Sequence, residues 1–194
     1  MISRGWVLVG VLASAAALAD DSKWSYGATL KAGSYSVEDG DGSTNAKTAY
    51  VPGLKLVYDL EGRGRRVFAG IDFLNFDLDG STSAIGQDVS GYSLTAGYEQ
   101  RFNLARYVKL WLGAGLSANS VDFTNRYKVA DDGFLGATYP DHSENYLGGI
   151  VTASTEFDLL ESDNWKFGVG GFALMPFGDG VKGAGLLLSV TYNK

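Results

Sequence analysis

The alternation of apolar and polar residues at every second position is the feature of this sequence that most constrains its fold. In the stretch WSYGATLKAG, residues 24–33, apolar side chains occupy the even positions and small or polar side chains the odd ones. A period of two places these two sets on opposite faces of a β-strand. The stretch therefore predicts a strand with one apolar and one polar face, and the fold depends on which face meets the solvent.

The same pattern recurs along the chain, separated by turn-forming residues. The eight predicted strands span residues 24–33, 50–60, 67–76, 92–102, 107–121, 146–159, 165–175 and 184–192. Short turns alternate with longer connections, which we place at residues 37–47, 77–91, 122–145 and 177–182. An even number of such strands with this alternation of connections is typical of membrane barrels. We predict an all-β fold, an eight-stranded antiparallel up-and-down transmembrane β-barrel.

The first nineteen residues have the pattern of a secretory signal peptide. Arg4 provides a positive start, an apolar run follows, and Ala17-Leu18-Ala19 has the small-x-small pattern of a cleavage site. The run is shorter than a membrane-spanning helix requires. We expect residues 1–19 to be a cleaved signal peptide and residues 20–194 to form one outer-membrane β-barrel domain.

Composition and charge exclude several classes of function. The chain has 22 acidic and 16 basic residues, a net charge of −6 and no cysteine. An acidic surface does not suit the phosphates of a nucleic acid, and a chain without cysteine forms no disulfide framework. Many of the glycines lie within the predicted strands, and none follows a strand at the start of a helix, which is where a dinucleotide-binding loop needs them. We expect no nucleic-acid partner and no cofactor.

The main alternative fold is a soluble periplasmic barrel of the lipocalin type, which has the same alternation with its apolar face turned inward. Two features favour lipid outside. The polar faces consist mostly of Gly, Ser and Thr, whereas a solvated exterior needs more charge. Aromatic residues lie near the ends of the apolar faces, as they do at membrane interfaces.

A third feature is that each short-turn hairpin carries an acid and a base on its polar faces. In a simple antiparallel register these residues lie opposite or nearly opposite each other. The predicted pairs are Lys55–Asp72, Glu99–Lys109 and Glu156–Lys166. Because a narrow lumen shields charges from bulk water, each charge there needs a partner. We predict a ladder of structural ion pairs that fills the barrel.

With these features the chain resembles the small eight-stranded bacterial outer-membrane β-barrels, such as the membrane domain of outer-membrane protein A. The resemblance covers residues 24–192 and rests on architecture. In that family the last strand usually ends in an aromatic residue, and here Tyr192 is followed by Asn193 and Lys194.

The resemblance implies a monomer in the bacterial outer membrane that contacts outer-membrane lipids and lipopolysaccharide. It also implies a structural or surface-interaction role, which covers envelope integrity, adhesion, and recognition of host or phage surface ligands through the outer loops.

A catalytic role is an alternative, because some outer-membrane barrels are lipid A-modifying acyl hydrolases or transferases. His142, the only histidine, lies beside Ser143 in the longest outer connection. Adjacent residues of a strand point to opposite sides, so we predict that the chain is not an enzyme.

The acidic stretches EDGDGST, residues 38–44, and DLDGST, residues 77–82, lack the full EF-hand pattern. We predict no metal site within the chain. A further hypothesis is that these loop tips share divalent cations with lipopolysaccharide phosphates.

Residues 122–145 form the best candidate for recognition. They include Phe123, Tyr127, Phe134 and Tyr139 among Asp, Asn and Gly, a mixture suited to binding at an exposed surface. Eight strands enclose an interior that side chains can fill, so we expect a closed lumen. A narrow passage for small hydrophobic molecules is the alternative.

Overall fold

A computed structural model describes residues 23–40, 42–60, 64–105, 108–158 and 164–193. Its strands are β1 Trp24–Asp39, β2 Gly42–Ser43, β3 Lys47–Leu60, β4 Arg65–Leu78, β5 Gly86–Ala105, β6 Val108–Val129, β7 Leu135–Thr138, β8 His142–Asp158, β9 Trp165–Pro176 and β10 Gly180–Asn193. Within these ranges no helix is long and apolar enough to cross a membrane. The predicted signal peptide lies outside the described residues.

The eight long strands form one closed antiparallel sheet. Each pairs with the next along the chain, while β2 and β7 add short pairings at the outer connections. The sheet closes where β1 pairs with β10, from Ser25 opposite Asn193 to Glu38 opposite Gly180. Closure satisfies the backbone hydrogen-bonding groups that an open sheet edge would leave unpaired. The predicted eight-stranded antiparallel up-and-down barrel is confirmed.

The apolar face of each strand points outward and the polar face points into the lumen. Lys31, Asp72 and Glu99 are buried inside, whereas Leu116 and Leu186 are 63% and 62% exposed on the outer surface. A soluble barrel has the opposite arrangement, because water outside favours polar side chains there. The exposed apolar surface therefore excludes the lipocalin-like alternative.

Two belts of aromatic side chains border the outward apolar surface. At the short-turn end, Tyr192 packs between Tyr26 and Trp165, with ring centres 5.7 and 5.0 Å away. At the other end, Tyr50 and Tyr92 are exposed on neighbouring parts of the outer face. Aromatic rings accumulate where a bilayer meets water, because one edge of the ring is dry and the other wet. We call the surface between these belts the apolar band.

Beyond the outer belt the polarity of the two faces reverses. Most inward residues there are apolar and fully buried, as at Val37 and Phe123, while the residues next to them on the outward face, Glu38 and Asp122, are exposed carboxylates. This part of the barrel has the polarity of a protein in water. The strands continue through it, so the outer connections are shorter than predicted and the strand boundaries there were wrong. The prediction followed the outward apolar face and stopped where that face became polar.

A charge placed in the middle of the apolar band tests whether this surface faces the hydrocarbon of a bilayer. Leu54 is outward and lies midway between Tyr50 and Tyr58 on β3. We expect Leu54→Arg to destabilise the barrel by about 2–4 kcal/mol, because an arginine at the bilayer midplane loses its hydration. Denaturant unfolding of the protein in lipid vesicles measures this loss. Thr48→Arg, on the outward face beyond Tyr50, is the matched control and should cost much less; equal losses would contradict the assigned band.

Candidate functional sites in the lumen and at the outer rim

The lumen contains an ion network centred on Glu99, which is 1% exposed. Lys55 Nζ lies 2.7 Å from Glu99 Oε1, and Arg66 Nε lies 2.5 Å from Glu99 Oε2. Arg66 also places Nη2 2.6 Å from Glu156 Oε1 and stacks its guanidinium 3.7 Å from the centre of the Trp111 ring. One arginine on β4 thus joins carboxylates on β5 and β8 across the inside of the barrel.

A second ion pair lies further toward the outer end of the lumen. Lys31 Nζ on β1 is 2.5 Å from Asp72 Oδ2 on β4, and both side chains are largely buried. The same ammonium lies 5.6 Å from the centre of the Phe172 ring. These contacts compensate for the hydration that the buried charges lose.

The predicted pairs do not form. Glu99 is opposite Gly113 and Lys109 is opposite Asn103, so these two charges lie apart. Lys55 is opposite Gly70 and bonds to Glu99, while Asp72 bonds to Lys31. Lys109 is exposed. Four of the six named residues, Lys55, Asp72, Glu99 and Glu156, therefore meet in lumen ion pairs, but with other partners.

The sixth residue, Lys166, is also placed differently from the prediction. It is opposite Asp158 on β8, and Glu156 is opposite Gly168. Lys166 lines a cavity at the short-turn end, together with Arg66 and Glu156. Glu156 is thus held by Arg66 instead of by Lys166.

The partners differ because three of the lumen ion pairs, Lys31–Asp72, Lys55–Glu99 and Arg66–Glu156, join strands that are not neighbours. Arg66–Glu99, in which the two residues are opposite each other on β4 and β5, is the exception. Lys31 on β1 reaches Asp72 on β4 past Gly53 of β3, and a Cβ atom at Gly53 would lie 2.5 Å from Asp72 Oδ1. Gly113 similarly leaves room for Glu99, whose Cγ would lie 2.7 Å from a Cβ at that position. Gly53 on the intervening strand therefore opens the path between Lys31 and Asp72, while Gly113 on the neighbouring strand β6 makes space beside Glu99. Hairpin spacing alone does not contain this information.

Two members of the network were absent from the predicted set, Lys31 and Arg66. Lys31 lies on the polar face of the first predicted strand, so its inward direction could be read from the alternation. Arg66 was assigned to a turn, but β4 begins at Arg65. If the alternation of β4 is continued one residue before Val67, it predicts that the Arg66 side chain points into the lumen.

The outer third of the lumen is filled by apolar side chains, which we call the apolar plug. Its buried members are Tyr35, Val37, Ala49, Val51, Leu74, Leu78, Val89, Val121, Phe123, Phe172, Val181 and Leu187. Tyr35 packs against Phe76 and Phe172, with ring centres 5.2 and 6.0 Å away. The plug lies between the Lys31–Asp72 pair and the outer end of the barrel.

The structure separates the four residues of the predicted recognition surface. Phe123 is 0% exposed and belongs to the apolar plug, so its assignment to a surface loop was wrong. Tyr127 and Tyr139 are partly buried, and Phe134 is 74% exposed. Phe123 faces inward because β6 continues to Val129, well past the point at which the loop was predicted to begin.

The end of β6 and the short strand β7 form a projecting hairpin, residues 126–139, which we call the outer hairpin. Arg126, 2% exposed, anchors it by donating hydrogen bonds from Nε to Gln87 Oε1 and from Nη1 to the Pro140 carbonyl, each 3.0 Å long. At the tip, Phe134 and Leu135 are 74% and 66% exposed. The hairpin therefore presents apolar side chains to solvent on a base held by buried hydrogen bonds.

His142 and Ser143 do not come together. His142 Nε2 is 3.3 Å from Glu144 Oε1, and its ring packs 5.0 Å from Phe123. Ser143 points to the other side of β8 and donates a hydrogen bond to Asp122 Oδ1. A nucleophile needs its base within hydrogen-bond reach, and this pair lacks that arrangement.

Two acidic residues of the predicted cation-sharing loop tips, Asp77 and Asp79, share one basic partner. Lys47 Nζ donates to Asp77 Oδ2 at 2.6 Å and to Asp79 Oδ1 at 3.2 Å. The hydrogen bond from Lys47 holds the pKa of the Asp77 carboxyl below its usual value. Within the described ranges, no three His, Cys, Asp or Glu residues are arranged to hold a metal ion.

Solved structures of small outer-membrane barrels have the same architecture. Neisserial surface protein A aligns with a TM-score of 0.59 and 16% identity, over 88% of this chain and 97% of that one. Ail, the attachment invasion locus protein of Yersinia pestis, aligns with a TM-score of 0.51 and 19% identity, over 88% and 98%. The chain has the fold of a small outer-membrane β-barrel.

At these identities the likeness is one of fold. A second structure of Ail, in complex with the heparin analogue sucrose octasulfate, aligns at a TM-score of 0.50 and 17% identity, over 88% of this chain and 98% of that one. No family model and no curated protein matches the chain.

Removing a charge from the ion network should lower the free energy of unfolding far more than removing an exposed charge. Glu99→Gln leaves Lys55 and Arg66 without the carboxylate that both contact, so we expect a loss of about 3–5 kcal/mol in the free energy of unfolding. Lys109→Gln removes an exposed charge and should change it by less than about 0.5 kcal/mol. Denaturant unfolding of the two variants in the same vesicles makes the comparison. A stable Glu99→Gln barrel would show that the network is not structurally required.

Proposed function

We propose that this chain is a monomeric bacterial outer-membrane protein that supports the envelope and takes part in surface interactions through its outer hairpin. The observation that carries the proposal is the reversal of polarity along the barrel. The apolar band requires hydrocarbon outside, while the exposed carboxylates beyond it require water. A barrel with both features belongs at a membrane surface, with its long connections in solvent.

The side chains that fill the lumen support a barrel without an open passage. The Glu99 network, the Lys31–Asp72 pair and the apolar plug occupy successive levels of an eight-stranded interior, which side chains can fill. A passage for small hydrophobic molecules would have to displace buried aromatic rings such as Phe123 and Phe172. The packing therefore favours a structural or interactive role over transport.

The outer hairpin is the favoured site of interaction. Phe134 and Leu135 form an exposed apolar tip, and such surfaces often mark contacts with partners. Carboxylates surround its base, among them Asp122, Asp141 and Glu144, and the chain carries a net charge of −6. Ail was solved with a polyanionic heparin analogue, but this acidic rim favours a partner with apolar and basic groups.

Electrophoresis of the outer-membrane fraction in SDS, with and without boiling, tests the membrane placement. We expect a heat-dependent change in mobility, because a closed barrel presents no free strand edge at which unfolding in detergent can begin. Fractionation of cells should recover the chain with the outer membrane. A protein recovered in the soluble periplasm, with no change on boiling, would contradict the proposal.

Substitution at the hairpin tip tests the interaction. The double variant Phe134→Ser, Leu135→Ser should reduce adhesion of intact cells to immobilised host matrix or adsorption of phage, while the stability of the barrel is unchanged. Phe177→Ser removes a similarly exposed ring from another outer connection and serves as the control. Undiminished binding by the double variant would rule out the outer hairpin as the recognition surface.

A further inference from the structure

A cavity of about 190 Å³ lies at the short-turn end of the lumen, on the opposite side of the ion network from the outer hairpin. We call it the vestibule. Its walls include the ends of strands, as at Ser25, Asp59 and Asn193, and its inner wall is formed by Arg66, Trp111 and Glu156. It is large enough for a small hydrated ion.

Cationic side chains outnumber carboxylates around the vestibule. Lys55, Arg65, Arg66, Arg101 and Lys166 line it, against Asp59 and Glu156. Lys55 and Arg66 are bound by Glu99 and Glu156. Asp59 attracts both Arg101 and Lys166 across the vestibule, but among the described residues neither has a carboxylate within ion-pair distance. One carboxylate therefore faces two cationic side chains, and this excess of positive charge favours an anionic ligand.

The remaining wall supplies uncharged hydrogen-bonding groups. Ser25, Ser189 and Thr191 contribute hydroxyls, and Ser25 and Thr191 are both buried. Ser25 Oγ donates to Asn193 Oδ1 at 2.5 Å, which leaves the amide NH₂ of Asn193 available as a donor. Hydroxyl and amide donors beside arginine and lysine are the groups that recognise oxyanions.

Trp111 orders the cationic side of the vestibule. The guanidinium carbons of Arg66 and Arg101 lie 3.7 and 5.8 Å from the centre of its ring. Arg101 also passes beside Gly64, where a Cβ atom would lie 2.9 Å from Arg101 Nε. These contacts restrict the arginine side chains before a ligand arrives, which lowers the entropy lost on binding.

We propose that the vestibule binds a compact oxyanion of the phosphate class, which enters from the short-turn side. The ligand is held by Arg101 and Lys166 at its charged oxygens and by the hydroxyl and amide groups of the wall. The site is independent of the outer hairpin, because the Glu99 network and the apolar plug separate the two ends of the barrel.

Calorimetric titration of the folded full-length protein in detergent with inorganic phosphate tests this proposal. We expect saturable binding, and Arg101→Gln combined with Lys166→Gln should weaken it by at least about tenfold, since each removes a charge-assisted hydrogen bond. Lys109→Gln removes the same charge near the same end of the barrel but outside the vestibule, and should bind phosphate as the parent does.

Glycerol 3-phosphate, titrated in parallel, distinguishes the source of the oxyanion. Affinity equal to that for inorganic phosphate indicates a phosphate-ester headgroup, while much weaker affinity indicates the free ion. The heat-dependent mobility in SDS verifies folding of every variant, and Lys166→Gln alone replaces the double variant if that fails to fold. Absence of saturable phosphate binding, or an equal loss in Lys109→Gln, would overturn the proposal.

Discussion

The structure depends on matching each barrel surface to the medium that it contacts. Hydrocarbon cannot hydrogen-bond to a polar group, so between the belts the outer face is apolar and the backbone is fully paired by closure. The lumen is shielded from bulk water, so its charges must find partners within the protein. Above the outer belt the medium is water, and the faces exchange polarity. One alternating sequence satisfies all three conditions because its inward and outward residues exchange polarity at the outer aromatic belt.

The lumen network shows how a narrow barrel accommodates charge. Arg66 contacts Glu99, Glu156 and the Trp111 ring, so its desolvation is offset by two carboxylates and a π-face. Gly53 and Gly113 leave the space that the network occupies, because a Cβ at either position would collide with Asp72 or Glu99. This explains why the polar faces are rich in small residues, which a lumen needs and a solvated exterior does not.

The period of two is sufficient to predict the strand count, because the alternation belongs to each strand alone. The antiparallel order followed from the alternating short and long connections, and the direction of the apolar face from the small residues of the polar faces and the placement of the aromatic residues. The partners of the lumen charges are not predictable in this way. Lys31 and Asp72 belong to strands separated by β3, and only the curvature of the closed barrel brings them together. The prediction also assigned Phe123 to a loop, although the residue lies on a strand. Its inward direction follows from the alternation, but a loop was expected where the outward face becomes polar.

The two ends of the barrel differ in what they offer to a ligand. At the outer end the apolar plug and the buried Arg126 contacts hold the hairpin, so a partner that binds Phe134 and Leu135 meets a base that is already ordered. At the short-turn end the walls are polar and carry more cationic side chains than carboxylates. The outer hairpin and the vestibule are separated by the apolar plug and the Glu99 network, and salt at 0.1 M screens exposed charges that lie more than about 10 Å apart. Substitutions at either end can therefore be interpreted separately, provided that the network between them is left intact.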